Sequence, residues 1–388
     1  MLNRNLLAQL ESSAGLWVAG VLSGTSADGI DVALARFAGS GGPECHAFRT
    51  VEFPAEWAQP LRRVLQGEAI ELGPLVRLHQ GLGRAFGAAA RDLAQAANLP
   101  LDLVGSHGQT VWHFDGVGPP ATFQVGEGNQ VAAEAGVPCV HDFRTADVAA
   151  GGHGAPLAIH ADLRLFGHLE RPLGILNLGG MGNLSILPGA EAGAPMSFDT
   201  GPAGALLDGL ARALWQAPMD RDGRWALAGT VNEAWVRGLL DHPFFAEPPP
   251  RSTGRDTFGA AFVDRFLAQV GPSARPEDLM ASAVEAVARS VAQALEAFVQ
   301  PRPKRLLVAG GGVHNPALMA RLARTTGLEV VSSAAFGVDP DAREALLFAC
   351  LAVDFVRGRT ARWPEVTGAA SFPIFGKACF PPAASAQG

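Results

Sequence analysis

The sequence predicts an α/β protein built from two similar halves, and three features of the 388-residue chain predict it. Residues 16–37 and 173–187 each consist of an apolar run, a polar turn rich in small residues and a second apolar run, the pattern of a β-hairpin. The two hairpins begin about 150 residues apart, which suggests a duplicated architecture. Residues 305–332 then follow the order strand, glycine-rich turn, helix, strand, which is typical of a parallel βαβ unit.

The remaining segments fit this class. Apolar residues spaced three and four apart predict helices over 74–98 and 281–300, and Pro301 ends the second helix. Short apolar runs predict strands over 101–107 and 136–141, each followed by polar residues. In α/β folds, the residues that follow such strands commonly bind ligands.

The composition limits the class of protein. Hydrophobic residues make up 48% of the chain and charged residues 17%, which predicts a folded globular protein rather than a disordered one. The formal net charge of −7 argues against a protein that binds nucleic acid or anionic membranes, because both need a basic surface.

The sequence lacks several common signatures. The four cysteines are far apart and form no C-x-x-C pair, so we expect reduced thiols rather than a zinc site or a disulfide framework. No apolar run approaches the roughly 20 residues of a membrane span, and residues 1–13 contain no signal-peptide core, so we expect a cytoplasmic protein. The sequence contains two lysines, Lys304 and Lys377, and neither lies in a P-loop motif, which excludes a nucleotide site of the P-loop type.

Residues 23–31, Ser-Gly-Thr-Ser-Ala-Asp-Gly-Ile-Asp, form the turn of the first hairpin. Its glycines, hydroxyls and amides suit a phosphate cradle, and Asp28 or Asp31 could hold a metal ion. An ordinary hairpin turn is the alternative, because Asp-Gly is common there.

The turn of the second hairpin, residues 177–183, carries three glycines. It is followed by a predicted strand and not by a helix, which argues against dinucleotide binding of the Rossmann type. Two facing glycine-rich hairpins would instead grip the phosphates of a nucleotide from two sides.

Two further segments carry candidate groups. Asp199 lies at a predicted strand end before Thr-Gly-Pro, and a carboxylate at that position suits a general base. The alternative is that Asp199 is the N-cap of the helix over 203–215. Gly310, Gly311 and Gly312 leave a surface without side chains that fits a flat ring, and Asn315 could cap the next helix.

Taken in order, these motifs resemble the anhydro-N-acetylmuramic acid kinase family, bacterial sugar kinases of the acetate/sugar kinase, Hsp70 and actin superfamily. No single motif is decisive, whereas the ordered series, which runs through nearly the whole chain, is highly specific. The series reads GVLSGTSADGIDVAL, GSHGQTVWH, DFRTADVAAGGHGAPL, NLGGMGNLS, FDTGPAGALLD, DRDGRWALAGTV, STGRDTF, VAGGGVHNPALM and VTGA.

The resemblance implies a two-lobed α/β fold of the actin-like ATPase type, with duplicated ribonuclease-H-like domains and the nucleotide in the interdomain cleft. We expect an N-terminal domain over residues 1–145, rejoined by 366–388, and a C-terminal domain over 146–365. It also implies a small-molecule sugar as the partner, and a homodimer.

The implied reaction uses ATP and Mg²⁺ to open 1,6-anhydro-N-acetylmuramic acid with water and to phosphorylate O6, giving N-acetylmuramic acid 6-phosphate. Asp199 matches the catalytic aspartate that activates the water, and Glu344 matches a glutamate near the sugar. The matching sugar-side residues are His107, Gln109, Thr110 and Asp147. The matching ATP-side residues are Gly24, Thr25, Ser26, Ala27, Asp28, Gly29, Ile30, Asp31, Gly179, Gly180, Gly310, Gly311, Gly312 and Asn315.

The chain departs from the family pattern beside Arg144. Where the family usually reads DFRRRD, Thr145 and Ala146 replace two arginines. Family members also usually carry Gln in place of His153, and often Asn in place of Gly204. If one of those arginines binds the lactyl carboxylate of the substrate in the family, two alternatives follow for this chain. Either other residues bind that carboxylate, or the enzyme acts on a different anhydro- or amino-sugar. A sugar-independent ATPase is the third alternative.

Overall fold

The computed structural model describes residues 2–24, 29–39, 42–113, 118–189 and 193–383. The chain divides into two compact units, Met1–Phe166 with Ala342–Gly388, and Gly167–Asp341. The first unit therefore includes 146–166 and 342–365, which the sequence assigned to the second domain. Their packing explains the difference, because the helix that begins at Arg343 lies against strands of the first unit.

The first unit begins with a helix followed by a hairpin, and it closes with a C-terminal helix and strand. Its helices and strands are α1 (Leu2–Ser12), β1 (Gly15–Ser23), β2 (Ile30–Ala38), β3 (Glu44–Val51), α2 (Ala55–Leu65), α3 (Leu72–Ala97), β4 (Leu103–His113), β5 (Thr122–Val125), α4 (Gly128–Ala135), β6 (Cys139–His141), α5 (Phe143–Ala149), α6 (Ala158–Phe166), α14 (Arg343–Val356) and β12 (Lys377–Cys379).

The sheet of this unit has the strand order β3-β2-β1-β4-β6-β12. Strands β1, β2 and β3 are antiparallel neighbours, whereas β4 is parallel to β1 and β6 is parallel to β4. Strand β4 continues beyond its predicted end at residue 107, because its last residues pair with β5. One face of the sheet packs on α3 and α4 around Leu82, Phe86 and Val131.

Two glycines allow α14 to lie directly on the other face. Gly20 and Gly105 are paired between β1 and β4. A Cβ atom on Gly20 would lie 1.8 Å from the Ala345 carbonyl oxygen, and one on Gly105 would lie 2.1 Å from that of Phe348. Any side chain at either position would therefore push this helix away from the sheet.

The second unit begins with the second hairpin. Its helices and strands are β7 (Leu173–Leu178), β8 (Met181–Leu187), β9 (Met196–Pro202), α7 (Gly204–Trp215), α8 (Arg224–Ala228), α9 (Glu233–Leu240), α10 (Arg255–Phe258), α11 (Ala260–Val270), α12 (Pro276–Phe298), β10 (Arg305–Ala309), α13 (Pro316–Thr326) and β11 (Glu329–Ser332).

The sheet of the second unit has the order β9-β8-β7-β10-β11. Strands β7, β8 and β9 are antiparallel neighbours, and β10 is parallel to both β7 and β11. This repeats the β3-β2-β1-β4-β6 part of the first sheet, in the order 3-2-1-4-5, and the first sheet carries β5 and β12 in addition. The predicted duplication of a ribonuclease-H-like α/β unit is thereby confirmed.

The core of the second unit joins the sheet to α7 and α12 through residues such as Leu206, Val284 and Leu306. Strand β7 is buried along its whole length, which explains why all of its residues except Asn177 are apolar or glycine. Across the described part of both units, no helix is long and apolar enough to cross a membrane.

Candidate active site

Asp199 lies within strand β9 of the second unit, opposite Asn183 of β8. The Asn183 side-chain amide donates to Asp199 Oδ1 over 2.9 Å, and the backbone N–H of Thr253 donates to Oδ2, also over 2.9 Å. Both carboxylate oxygens are therefore oriented by donors. The alternative that Asp199 caps α7 is wrong, because Ala203 occupies the N-cap.

The electrostatics of this carboxylate suit a general base. Burial raises the pKa of Asp199, while the hydrogen bonds from Asn183 and Thr253 and the charge of Arg251 oppose the rise. A carboxylate that is partly desolvated is a stronger proton acceptor than one in water, provided that it stays ionised. The two donors favour the ionised form.

Arg251 anchors the segment that supplies the Thr253 donor. The residue is 8% exposed, and its guanidinium donates to the backbone carbonyls of Asp199, Phe244, Phe245 and Glu247 over 2.7 to 3.1 Å. The Asp199 N–H in turn donates to the Arg251 carbonyl over 3.1 Å. This exchange holds the chain around residue 251 beside β9.

The turn between β7 and β8 contains Gly179 and Gly180, and it packs on the start of α7. The Gly179 carbonyl accepts from Gly204 N, and the Gly180 carbonyl accepts from Ala203 N and Ala205 N, each over 2.9 Å. A Cβ on Gly204 would lie 2.9 Å from Gly179 O, so glycine permits this close approach. The donors that this turn can offer a phosphate are its backbone N–H groups.

The glycine triplet follows β10 and packs against the end of β7. A Cβ on Gly310 would lie 2.9 Å from Leu178 O, and one on Gly312 would lie 2.5 Å from Leu178 Cβ. A Cβ on Gly311 would meet nothing within 4 Å. Two glycines are therefore required by packing, and the middle one leaves open space of the kind that a ring needs. Asn315 caps α13 by accepting from Leu318 N, as predicted.

The first hairpin turn is described only at its edges, since Thr25, Ser26, Ala27 and Asp28 lie outside the described residues. Gly24 ends the first described segment, and Gly29 approaches Val51 so closely that a Cβ would lie 2.9 Å from its carbonyl oxygen. Ile30 is buried in the core, and Asp31 Oδ1 accepts from the Thr50 hydroxyl over 2.6 Å.

The residues of β4 that the family resemblance assigns to the sugar lie in the first unit. The Gln109 side-chain amide donates to the Thr110 carbonyl over 3.1 Å, and Gln109 Oε1 is buried without a partner among the described residues. The Thr110 hydroxyl accepts from Gln124 Nε2 over 3.2 Å. His107 stacks on Phe348 of α14, with ring centroids 4.4 Å apart.

Arg144 links His107 to the loop after α5. Arg144 Nε donates to His107 Nε2 over 3.0 Å, and Nη1 donates to the Gly154 carbonyl over 2.8 Å. Burial and the charge of Arg144 hold the pKa of His107 well below its usual range. His107 is therefore a neutral imidazole whose Nδ1 carries the proton and donates to the Gly108 carbonyl over 3.1 Å.

Asp147 is fully buried and both of its oxygens are engaged within the protein. Oδ2 accepts from Gly154 N over 2.7 Å, and Oδ1 accepts from the Thr367 hydroxyl over 2.6 Å. These bonds fix the loop that Arg144 also contacts. The structure thus supports a positioning role for Asp147 rather than direct contact with a sugar.

Glu344 lies in the first turn of α14, where it attracts Arg144. The neighbouring Arg343 forms a buried ion pair with Asp162 of α6, with nitrogen–oxygen distances of 2.6 to 3.0 Å. Together with the close contact of Ala345 with Gly20, this pair fixes the start of α14. Glu344, Arg144 and His107 are thereby brought together within the first unit.

Sequence reasoning did not select Asn183, Thr253, Arg251 or Arg144 as site residues. All four lie within or beside the quoted motifs, but their partners are distant in sequence, so spacing alone gave no sign of them. In the described ranges, no group of three or more His, Cys, Asp or Glu side chains could hold a metal ion, and the four cysteines form no disulfide bond.

A duplicated ribonuclease-H-like fold with glycine-rich turns after the first and fourth strands of the second unit, and a partly buried carboxylate on its third strand, is the arrangement of the actin-like ATPase class. The chain belongs to the anhydro-N-acetylmuramic acid kinase family, whose pattern matches residues 16–382.

The chain resembles members of this family over nearly its full length. It is 43% identical to the anhydro-N-acetylmuramic acid kinase of Xanthomonas oryzae pv. oryzae over 376 residues, covering 95% of this chain and 98% of that protein. It is 40% identical to the enzyme of the same name from Salinibacter ruber over 383 residues, covering 94% and 96%. Among solved structures, component A of (R)-2-hydroxyglutaryl-CoA dehydratase from Acidaminococcus fermentans matches with a TM-score of 0.47 and 13% identity, covering 88% of this chain and 99% of that one, a likeness too weak to argue from.

Proposed function

We propose that this protein uses ATP and water to convert 1,6-anhydro-N-acetylmuramic acid into N-acetylmuramic acid 6-phosphate and ADP, a reaction of peptidoglycan recycling. Family membership supports the reaction. The observation that carries the chemistry is the partly buried Asp199 carboxylate, whose two oxygens are held by Asn183 and Thr253.

Asp199 acts as the general base. It takes a proton from the water whose oxygen bonds to C1 of the sugar, and the C1–O6 bond breaks as that bond forms. The freed O6 then accepts the γ-phosphoryl group of ATP, and ADP leaves. Because Asn183 and Thr253 fix both carboxylate oxygens, the base is oriented before the substrate arrives.

The glycine turns hold the ATP. The close approach of Gly310 and Gly312 to Leu178, with open space at Gly311, fits a backbone surface for the adenosine, and the turn at Gly179 and Gly180 offers amides to the phosphates. Mg²⁺ bound to the phosphates of ATP would neutralise part of their charge during phosphoryl transfer.

His107, Gln109 and Thr110 of β4 serve the sugar, and Asp147 positions the loop beside them. The missing arginines leave the lactyl carboxylate to other basic groups of this unit. His113 and His153 are the candidates, because they lie close enough to each other for their charges to interact and His113 also senses the charge of Arg144; burial, and then Arg144 and His153, lower the pKa of His113 to about 4 in the sugar-free protein. A carboxylate bound beside His113 would raise the pKa of this histidine and so favour its protonated form.

A coupled ADP-release assay with Mg-ATP tests the function, using 1,6-anhydro-N-acetylmuramic acid and, as the matched control, the lactyl-free 1,6-anhydro-N-acetylglucosamine. We expect turnover with the first sugar, little with the second, and a product whose mass has gained one water and one phosphoryl group (HPO₃). Equal use of both sugars would favour a kinase of broader specificity. ATP hydrolysis that ignores either sugar would favour the sugar-independent ATPase.

A further inference from the structure

We propose that Gly223 is a positioning residue for nucleotide binding, which acts by leaving room for the capping side chain of Asn315 and, through Asn315, sets the position of the turn of Gly310 to Gly312. This inference rests on the proposed function, in which that turn contacts ATP. Gly223 ends a short turn that begins at Asp220, in a motif to which the sequence assigned no role.

The first step is the rigidity of that turn. Asp220 is 7% exposed, and its two carboxylate oxygens accept from Trp225 N and Ala226 N, each over 3.0 Å. The Gly223 N–H donates to the Asp220 carbonyl over 3.1 Å, which closes the turn. Asp222 and Gly223 both adopt left-handed backbone conformations, with φ of 57° and 63°. A carboxylate engaged at both oxygens leaves this turn little freedom.

The second step is the contact with Asn315. A Cβ on Gly223 would lie 2.3 Å from Asn315 Oδ1 and 3.1 Å from Ala317 Cβ. The same Oδ1 accepts from Leu318 N over 3.1 Å and so caps α13. Glycine at 223 therefore leaves just enough room for the asparagine side chain in its capping position.

The third step leads to the turn itself. The Asn315 N–H donates to the Gly312 carbonyl over 3.2 Å, and the Gly310 N–H donates to the Pro340 carbonyl over 2.9 Å. Hydrogen bonds thus hold the glycine turn at both ends, and the bond made by Asn315 is the one nearest to Gly223. Moving Asn315 would shift the surface that we assign to the adenosine.

Replacing Gly223 by alanine tests the inference, with Gly327→Ala as the matched control. Gly327 lies at the other end of α13 with a φ of 66°, but a Cβ there would meet nothing within 4 Å. Both variants carry the same backbone strain, whereas Gly223→Ala alone crowds Asn315. Binding of Mg²⁺ with a non-hydrolysable ATP analogue is measured by calorimetry, and KM values for ATP and for the sugar are measured separately.

We expect Gly223→Ala to weaken analogue binding and raise the KM for ATP by about tenfold or more, with the KM for the sugar unchanged and Gly327→Ala near wild type. In the double variant, Gly223→Ala is combined with Asn315→Ser, which has a shorter capping side chain. The double variant should lose less affinity for the analogue than the sum of the losses in the two single variants. If Gly223→Ala does not fold, Asp220→Asn, which places an amide against a backbone N–H, should raise the KM for ATP selectively.

Two results would count against different claims. Suppose that the wild type binds the analogue, and that Gly223→Ala (or Asp220→Asn in its place) binds the analogue as tightly as Gly327→Ala does. The positioning role is then overturned, and the proposed function stands. If the wild type binds no nucleotide at all, the proposed function fails, and the positioning role fails with it.

Discussion

Asn183 and Asp199 face each other across strands β8 and β9, and the side-chain amide of Asn183 lies 2.9 Å from the Oδ1 atom that it orients. Because paired residues of adjacent strands project from the same face of a sheet, the hairpin itself brings the amide to the carboxylate. This donor opposes the rise in the pKa of Asp199 that burial causes.

Replacing Asn183 by alanine should therefore raise the pKa of Asp199 further. The base acts in its ionised form, so the acidic limb of the kcat/KM profile should move to higher pH. The measurement is that profile for the wild type and the variant. Asn232→Ala, which removes the N-cap of α9, is the control that should lower stability without moving the limb. If the acidic limb of the kcat/KM profile does not move in Asn183→Ala, the limb reports the titration of a group other than Asp199.

Replacing Asp199 by asparagine should leave the fold intact and lower kcat by about 10² to 10⁴, the usual contribution of a general base. One of the two donors that now bond the carboxylate would face an amide NH₂ group. Circular dichroism checks the fold, and the coupled assay measures kcat. A rate close to that of the wild type would remove Asp199 from the mechanism.

Replacing Gly20 by alanine should destabilise the protein by about 3 kcal/mol or more, because its Cβ would lie 1.8 Å from the Ala345 carbonyl oxygen. Gly15→Ala on the same strand is the matched control, since the nearest atom to its Cβ would be 3.7 Å away, and its effect should stay within about 1 kcal/mol. Urea unfolding measures both. Equal stability of the two variants would contradict the close packing of α14 on the sheet.

His160 should make stability fall in mild acid. Its imidazole is 8% exposed, its ring edge meets Phe375, and burial lowers its pKa to about 4. The unfolded chain binds a proton as the pH falls through about 6.5, whereas the folded protein binds it only near 4, so the free energy of unfolding declines between these values, by up to about 3 kcal/mol.

The variant His160→Phe should flatten this decline, although His107 and His113, whose pKa values are also lowered, keep part of it. Urea unfolding at pH 7, 6 and 5 measures the slope, and substitution of the exposed His168 by asparagine provides the control. A slope in His160→Phe as steep as in the wild type would assign the decline to other groups.

The sequence alone determined the two hairpins, the βαβ unit and the family, because alternation of apolar residues, glycine-rich turns and ordered motifs are local signals. It also selected Asp199 and the glycine triplet. It could not choose between a base and a helix cap for Asp199. Only the pairing of β9 with β8 excluded the cap, since it places the residue inside a strand, and the role as a base stays a proposal.

The tertiary structure alone decided which residues support the site. Asn183 meets Asp199, Arg144 meets His107, and Gly223 meets Asn315 across 16, 37 and 92 residues of chain. The unit boundaries after Phe166 and before Ala342 likewise follow from packing. The physical reason is that burial, close approach and hydrogen bonds between distant segments depend on where the folded chain brings backbone and side chains together, and local sequence patterns do not contain that information.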